Sequence, residues 1–262
     1  MRINPRLLTG LGQCCLISGP SHSDLGWAMV RDRVVLVTGA TGNLGRVTVA
    51  RFLKEGARVA AVYRSEDRMR NLEEAVGKVP NLKSFKSDVE NAESVDAMVK
   101  EVLKEYGRID ILLNIVGGWA GGKNVGETTP EEWDDMISLN LRSAFLCSRA
   151  VLPGMAERNY GRIVSVAAKH ATEKGRPAGN LAYAVSKGGV ITLTRGIADE
   201  YGKYDINANC VMPSSITDPK APAGTDQSRR VPAEQIAEVI LFLASESSRP
   251  VSGAAVPVYG KG

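Results

Sequence analysis

The sequence predicts an α/β fold: one doubly wound parallel sheet with helices on both faces. Two observations carry this expectation. Short apolar, β-branched runs alternate with helix-patterned segments from residue 31 to the end of the chain, the order that builds a parallel sheet covered on both sides. The first of these runs, Val34 to Val37, leads into Gly39, Gly42 and Gly45 and then into Leu44, Val47, Ala50, Phe52 and Leu53 at helical spacing, so strand, glycine turn and helix follow one another. With 262 residues, 44% of them apolar, the chain could form one such domain or two small ones; unbroken alternation favours one.

The elements then follow in order. After the first strand, the glycine turn brings backbone N–H groups to a helix N-terminus, an arrangement suited to a diphosphate. A side chain at Gly39 or Gly45 would obstruct the close approach of the backbone or the packing of helix on strand, and a tight turn without a ligand is the bland alternative. Arg58–Tyr63 reads as the second strand. The residue ending this strand meets the adenosine ribose in dinucleotide-binding sheets. Here Tyr63 is followed by Arg64, with no carboxylate before Glu66. A guanidinium there pairs with a 2′-phosphate where a carboxylate would repel it, so the sequence leans towards NADP(H), with NAD(H) as the alternative. A solvent-facing loop arginine is the competing reading.

Ser65 is positioned to cap a helix running to about Gly77, and Ser84–Val89 is read as the third strand and its end. A helix over Ala92–Tyr106 and a fourth strand over Ile109–Asn114 follow. Gly117-Gly-Trp-Ala-Gly-Gly122 then carries Trp119 past the strand end, at the edge where doubly wound sheets bind ligands; a tryptophan plugging a neighbouring core is the alternative. One long helical region is expected from Glu131 to about Glu157, containing Asn140. Gly161–Ala167 is the fifth strand. Tyr183 and Lys187 open a helix reaching about Tyr201, and their spacing puts them on one face. Ile206–Met212, a helix over Pro232–Ser245 with Pro232 in its first turn, and a last strand within Val251–Val258 complete the domain, read as residues 31–262.

Composition excludes several functions. The net charge is +4, with acidic and basic residues interleaved along helices, so no nucleic-acid-binding stripe is expected. No run of 18 apolar residues occurs, and no membrane partner is expected. Cys14, Cys15, Cys147 and Cys210 form no CxxC pair, which fits a reducing, cytoplasmic setting. With only His22 and His170 as histidines, no metal site is expected. Residues 1–30 are read as a disordered extension, with a weak targeting signal as the other reading.

The motifs together resemble the short-chain dehydrogenase/reductase family, whose fold is Rossmann-type. The resemblance runs from about Arg31 to Gly262 through Thr38–Gly45, Asp88, Asn114, Asn140, Tyr183, Lys187 and Val258-Tyr-Gly260. It implies a nicotinamide cofactor held by Thr38, Gly39, Thr41, Gly42, Asn43, Leu44, Gly45, Arg64, Asp88, Val89, Asn114, Gly117, Tyr183, Lys187, Pro213 and Ile216. It also implies that Tyr183 gives a proton to the substrate oxygen, that Lys187 binds the ribose and lowers the tyrosine pKa, and that Asn140 holds a relay water. A homodimer or homotetramer built on the helices containing Asn140 and Tyr183 is implied as well.

Four departures stand out. Gly42 and Asn43 occupy the places where the family usually has another residue and then glycine; asparagine tolerates left-handed backbone. Ala168 stands where the family has its catalytic serine, Ser165 lies within the strand, and His170 follows two residues on. Pro213-Ser214 replaces Pro-Gly, and Thr217–Val231 is short for a substrate lid. Loss of an oxyanion donor costs about 10²–10³ in rate. Dihydropteridine reductases also lack the serine, and the chain resembles them at Gly117–Gly122 and Ala168-Lys169, although they carry an acidic residue at the place of Tyr63. The expectation is therefore an oxidoreductase acting on a small carbonyl or quinonoid substrate, with Trp119, Ala168 and His170 beside it. A 3-oxoacyl or sugar-type carbonyl reductase and a non-catalytic NADP-sensing regulator are the alternatives.

Overall fold

Successive residues of a strand point to opposite faces of its sheet, and in the central strands of this chain both sets are apolar. Helices must therefore cover both faces. The computed structural model describes residues 30–77, 79–172, 179, 181–222 and 224–260. Its strands are β1 (Val34–Thr38), β2 (Arg58–Tyr63), β3 (Leu82–Lys86), β4 (Ile111–Asn114), β5 (Gly161–Val166), β6 (Ile206–Pro213) and β7 (Ala255–Val258). They form one seven-stranded sheet in the order β3-β2-β1-β4-β5-β6-β7, every pairing parallel. The helices are α1 (Asn43–Lys54), α2 (Glu66–Val76), α3 (Ala92–Tyr106), α4 (Pro130–Ile137), α5 (Ser143–Glu157), α6 (Leu181–Tyr201) and α7 (Ala233–Ala244).

One core joins Val35, Val37, Val59, Ala61 and Leu113 to Phe52 of α1, Leu72 of α2 and Ile236 and Ile240 of α7. The other joins Leu36, Ala60, Val62, Leu112 and Ile163 to Val95 and Met98 of α3, Leu146 and Met155 of α5 and Ile197 of α6. Both faces of the sheet are thus filled, and ligand access is left to its C-terminal edge. Strand order reverses between β1 and β4, which opens a crevice at that edge. In register, Thr38 pairs with Asn114 and Asn114 with Ser165, so the strand ends line up beneath one site.

Several boundaries differ from the sequence reading. Val30 is buried in the first core, so the domain takes in a residue read as extension; residues 1–29 lie outside the described residues. The third strand begins at Leu82 and ends at Lys86, because Ser87 and Asp88 turn towards Ser94 at the head of α3. Ser65 stands at the N-cap of α2 without a side-chain capping bond, and Pro232 is the residue before α7. The long helix expected over Glu131–Glu157 is interrupted: a π turn over Ser138–Arg142 separates α4 from α5. Such turns insert one extra residue per turn and often mark functional positions; this one contains Asn140.

Candidate active site

A cleft of about 790 Å³ runs along the C-terminal edge of the sheet. Gly39, Thr41, Gly42, Asn43, Leu44 and Gly45 line its middle. Gly39 has φ +66°, and a Cβ there would stand 2.9 Å from the Val116 amide nitrogen, so the chain just after β4 passes where only glycine fits. A Cβ at Gly45 would run into the Gly39 carbonyl. Gly42 caps α1 without a side chain, and the first turn of α1 carries no acidic residue. The result is an open cradle of amides at a helix N-terminus, chemically matched to a dinucleotide diphosphate. Asn43 is helical, not left-handed as its tolerance suggested. Its Nδ2 donates to the Thr217 carbonyl at 2.6 Å, tying the turn to the segment after β6.

At one end of the cleft stand Tyr63, Arg64, Ser87, Asp88, Val89 and Glu90, together with Arg68. Arg64 is 76% exposed, and its Nη1 is 3.7 Å from a Glu90 carboxylate oxygen. Arg68 was missed by the sequence reading. It stands in the first turn of α2, whereas Arg64 precedes the Ser65 N-cap, so no helical spacing in the sequence links the two.

At the other end stand Gly117, Gly118, Trp119, Ala168, His170, Tyr183, Lys187, Pro213, Ser215 and Ile216. Lys187 is 3% exposed and its Nζ donates to the Val166 carbonyl at 2.8 Å. Burial lowers its pKa to about 8. Burial also raises the Tyr183 pKa. Asn140 is buried behind the cleft wall. Its Oδ1 accepts from the Gly118 amide and its Nδ2 donates to the Gly118 carbonyl, both at 3.1 Å. A Cβ at Gly117 would lie 2.8 Å from both Asn140 Oδ1 and Lys187 Nζ. The two groups therefore face one small space that glycine leaves open.

Two expected cofactor residues do not reach the cleft. The Thr38 hydroxyl donates to the Leu113 carbonyl at 3.2 Å and accepts from the Ile115 and Val116 amides, so it fastens β1 to β4. Asn114 is buried, with Nδ2 donating to the Ser148 and Ser165 hydroxyls at 3.2 Å. Both hold up the floor. Ser165 is thereby occupied inside the sheet, as its place in the strand implied. Trp119 is 62% exposed at the cleft mouth, which excludes its filling a core. Its segment is held at the far side, where the Gly122 amide donates to the Gly179 carbonyl at 2.8 Å. The His170 ring meets the Tyr183 ring edge-on, centroids 6.1 Å apart. The described residues of 217–231 do not line the cleft; their base is pinned by the Ile216–Val231 bridge. The glycine-containing stretch leading to Tyr183 lies largely outside the described residues. Among the described residues no helix is long and apolar enough to cross a membrane.

Comparison with known proteins agrees with this architecture. The family model described as short chain dehydrogenase matches residues 33–227. The chain is 34% identical over 243 residues to the (2S)-[(R)-hydroxy(phenyl)methyl]succinyl-CoA dehydrogenase subunit BbsD of Thauera aromatica, covering 88% of this chain and 96% of that one. It is 33% identical over 240 residues to the 3-oxoacyl-[acyl-carrier-protein] reductase FabG of Thermotoga maritima, covering 87% and 96%. The crystal structure of levodione reductase superposes with a TM-score of 0.80 at 31% identity, covering 88% of this chain and 97% of the other. The extent of these matches, over a seven-stranded parallel sheet with a glycine cradle and a Tyr183–Lys187 pair at one cleft, establishes that the chain belongs to the short-chain dehydrogenase/reductase family of oxidoreductases.

Proposed function

We propose that the protein is an NADP(H)-preferring reductase that transfers hydride to a small carbonyl or quinonoid compound, and that it serves flat, conjugated acceptors best. The observation that carries this reading is the meeting of Tyr183, Lys187 and the Asn140-braced Gly117–Gly118 wall at one end of a cleft whose middle is the glycine cradle. When bound, the nicotinamide supplies the hydride. The amides of Gly39–Gly45 would hold the diphosphate, Asp88 and Val89 the adenine end, and Arg64 with Arg68 the 2′-phosphate. Lys187 and Gly117 would hold the ribose, and Pro213 and Ile216 the carboxamide.

Tyr183 gives the proton to the substrate oxygen. A phenol whose pKa is raised by burial keeps its proton at neutral pH, the state a reductase needs at the start of turnover. Lys187, its pKa lowered by burial to about 8, stays largely charged at neutral pH and would pair with an anionic group entering the cleft. Asn140 keeps the Gly117–Gly118 wall in place and leaves room for a relay water. The wall at Ala168 offers no side-chain donor, and Trp119 offers a flat aromatic surface. Both features suit an acceptor that gains conjugation on reduction, of which quinonoid dihydropterin is the example that the Gly117–Gly122 and Ala168-Lys169 stretches support. The names of the FabG and levodione relatives support the wider class of ketones. Exposed Trp133, Phe145, Leu181 and Val185 on α4, α5 and α6 support a homodimer or homotetramer, and the composition supports work in the cytoplasm.

The test is oxidation of NADPH and NADH in the presence of quinonoid dihydropterin, quinones and simple ketones. Turnover that is faster with NADPH and fastest with a flat acceptor is the expected result. Cofactor binding without turnover of any acceptor would favour a nucleotide-sensing regulator and reject the reading.

A further inference from the structure

We infer that His170 donates a hydrogen bond to the substrate oxygen, and so extends the acceptors of this site to non-conjugated ketones. The inference rests on the reading of Tyr183 as proton donor. When a ketone carbon gains hydride, the carbon–oxygen π bond breaks, its electron pair moves onto oxygen, and that oxygen takes the Tyr183 proton. The phenolate then recovers a proton from solvent. Negative charge builds on the oxygen before the proton arrives, and a second preorganised donor stabilises it.

Strand β5 does not supply that donor. Ala168 lines the cleft with a methyl group, and the Ser165 hydroxyl accepts from Asn114 within the sheet. Three described polar groups at this end are already engaged: Lys187 Nζ with the Val166 carbonyl, Asn140 with the Gly118 backbone, and the Ser214 hydroxyl with the Tyr259 carbonyl. His170 is placed differently. Just after Ala168, a short turn over Lys169–Ala171 is closed by the Ala171 amide on the Ala168 carbonyl at 3.0 Å. That turn swings the imidazole into the cleft and edge-on against the Tyr183 ring. An imidazole in either charge state keeps at least one N–H donor. It stands beside the phenol that faces the same oxygen, and it keeps its own proton throughout the step.

The experiment compares wild type with His170→Ala, His170→Gln and the double variant Ala168→Ser/His170→Ala. Each is assayed with a simple cyclic ketone and with a quinonoid acceptor, and each is titrated with NADPH by fluorescence. We expect His170→Ala to lower kcat on the ketone about 10²-fold, the scale of losing one oxyanion donor. The loss on the quinonoid acceptor should be several-fold at most. His170→Gln, which keeps an N–H donor, should retain part of the ketone rate, and the serine of the double variant should restore it. Equal losses on both acceptors, failure of the serine to restore the ketone rate, or wild-type turnover of quinonoid acceptors without ketones would each overturn the inference. A wild type that oxidises neither cofactor with any acceptor rejects the underlying function as well.

Discussion

Replacing Gly117 by alanine is expected to damage catalysis with little damage to the fold. Gly117 does not occupy the left-handed region, so a side chain there adds no backbone strain. The added methyl group would instead lie 2.8 Å from both Asn140 Oδ1 and Lys187 Nζ. Ordinary van der Waals contact begins at 3.4 Å, so at least one partner must yield by about 0.6 Å. Neither is free to do so. Asn140 is fastened twice to Gly118, and Lys187 is held by the Val166 carbonyl. A displacement of about 1 Å in a reacting constellation can cost 10²-fold, so kcat/KM should fall by roughly 10- to 10²-fold, or ~1.4–2.7 kcal/mol. Gly118→Ala is the control. Its methyl group would meet a Leu139 methyl at 2.8 Å, a side-chain end that can rotate aside, so its loss should be smaller. Steady-state turnover and thermal melts of both variants decide the matter. Near-wild-type kcat/KM for Gly117→Ala, or a larger loss for Gly118→Ala, would refute this account of the wall.

Other outcomes follow from the same geometry. Arg64→Asp should reverse the cofactor preference, and Arg68→Ala should weaken NADPH binding more than NADH binding, both read by fluorescence titration; equal effects on the two cofactors would remove the arginines from the 2′-phosphate. Trp119→Ala should raise KM for flat acceptors about tenfold, ~1.4 kcal/mol and within reach of aromatic stacking, with NADPH affinity nearly unchanged. Lys187 has a folded pKa of about 8, below its ordinary value of 10.5. The unfolded chain therefore binds the extra proton between those values, and stability rises with pH through that window. Below pH 8 the full penalty is present, so Lys187→Met should stabilise the chain at pH 7 by something on the order of 3 kcal/mol, with the gap closing towards pH 10.5. Urea melts at pH 7 and pH 10 that show a constant gap would contradict the burial effect.

The parts of the fold that sequence makes legible are those where one pattern has one physical solution. A β-branched run with Gly39 and Gly45 close behind admits few shapes other than strand, tight turn and helix, and the close approaches at Val116 and the Gly39 carbonyl show why. Tyr183 and Lys187 share a face because a helix repeats every 3.6 residues. The π turn around Asn140 was hidden because Met136, Leu139 and Leu141 keep a helix-like apolar rhythm across the extra residue. Thr38 and Asn114 sit at strand ends, and a strand end does not reveal whether a polar side chain faces the cleft or the neighbouring strand; their bonds to Leu113, Ser148 and Ser165 decide it. Asn43 looked like a left-handed residue, yet Gly39 already makes the turn, which frees the asparagine to enter α1 and reach Thr217. Arg68 belonged to the next helix and entered the cleft only once α2 was placed against β2.

The central claim is that Tyr183 supplies the proton to the reduced oxygen. Tyr183→Phe keeps the ring, including its edge contact with His170, and removes only the hydroxyl. Pre-steady-state oxidation of bound NADPH, measured with the best acceptor at saturating concentration, should fall by roughly 10²–10⁴-fold, the range for loss of a positioned acid, while NADPH titration gives an affinity close to wild type. A variant that binds NADPH and oxidises it at a near-wild-type rate would contradict the account.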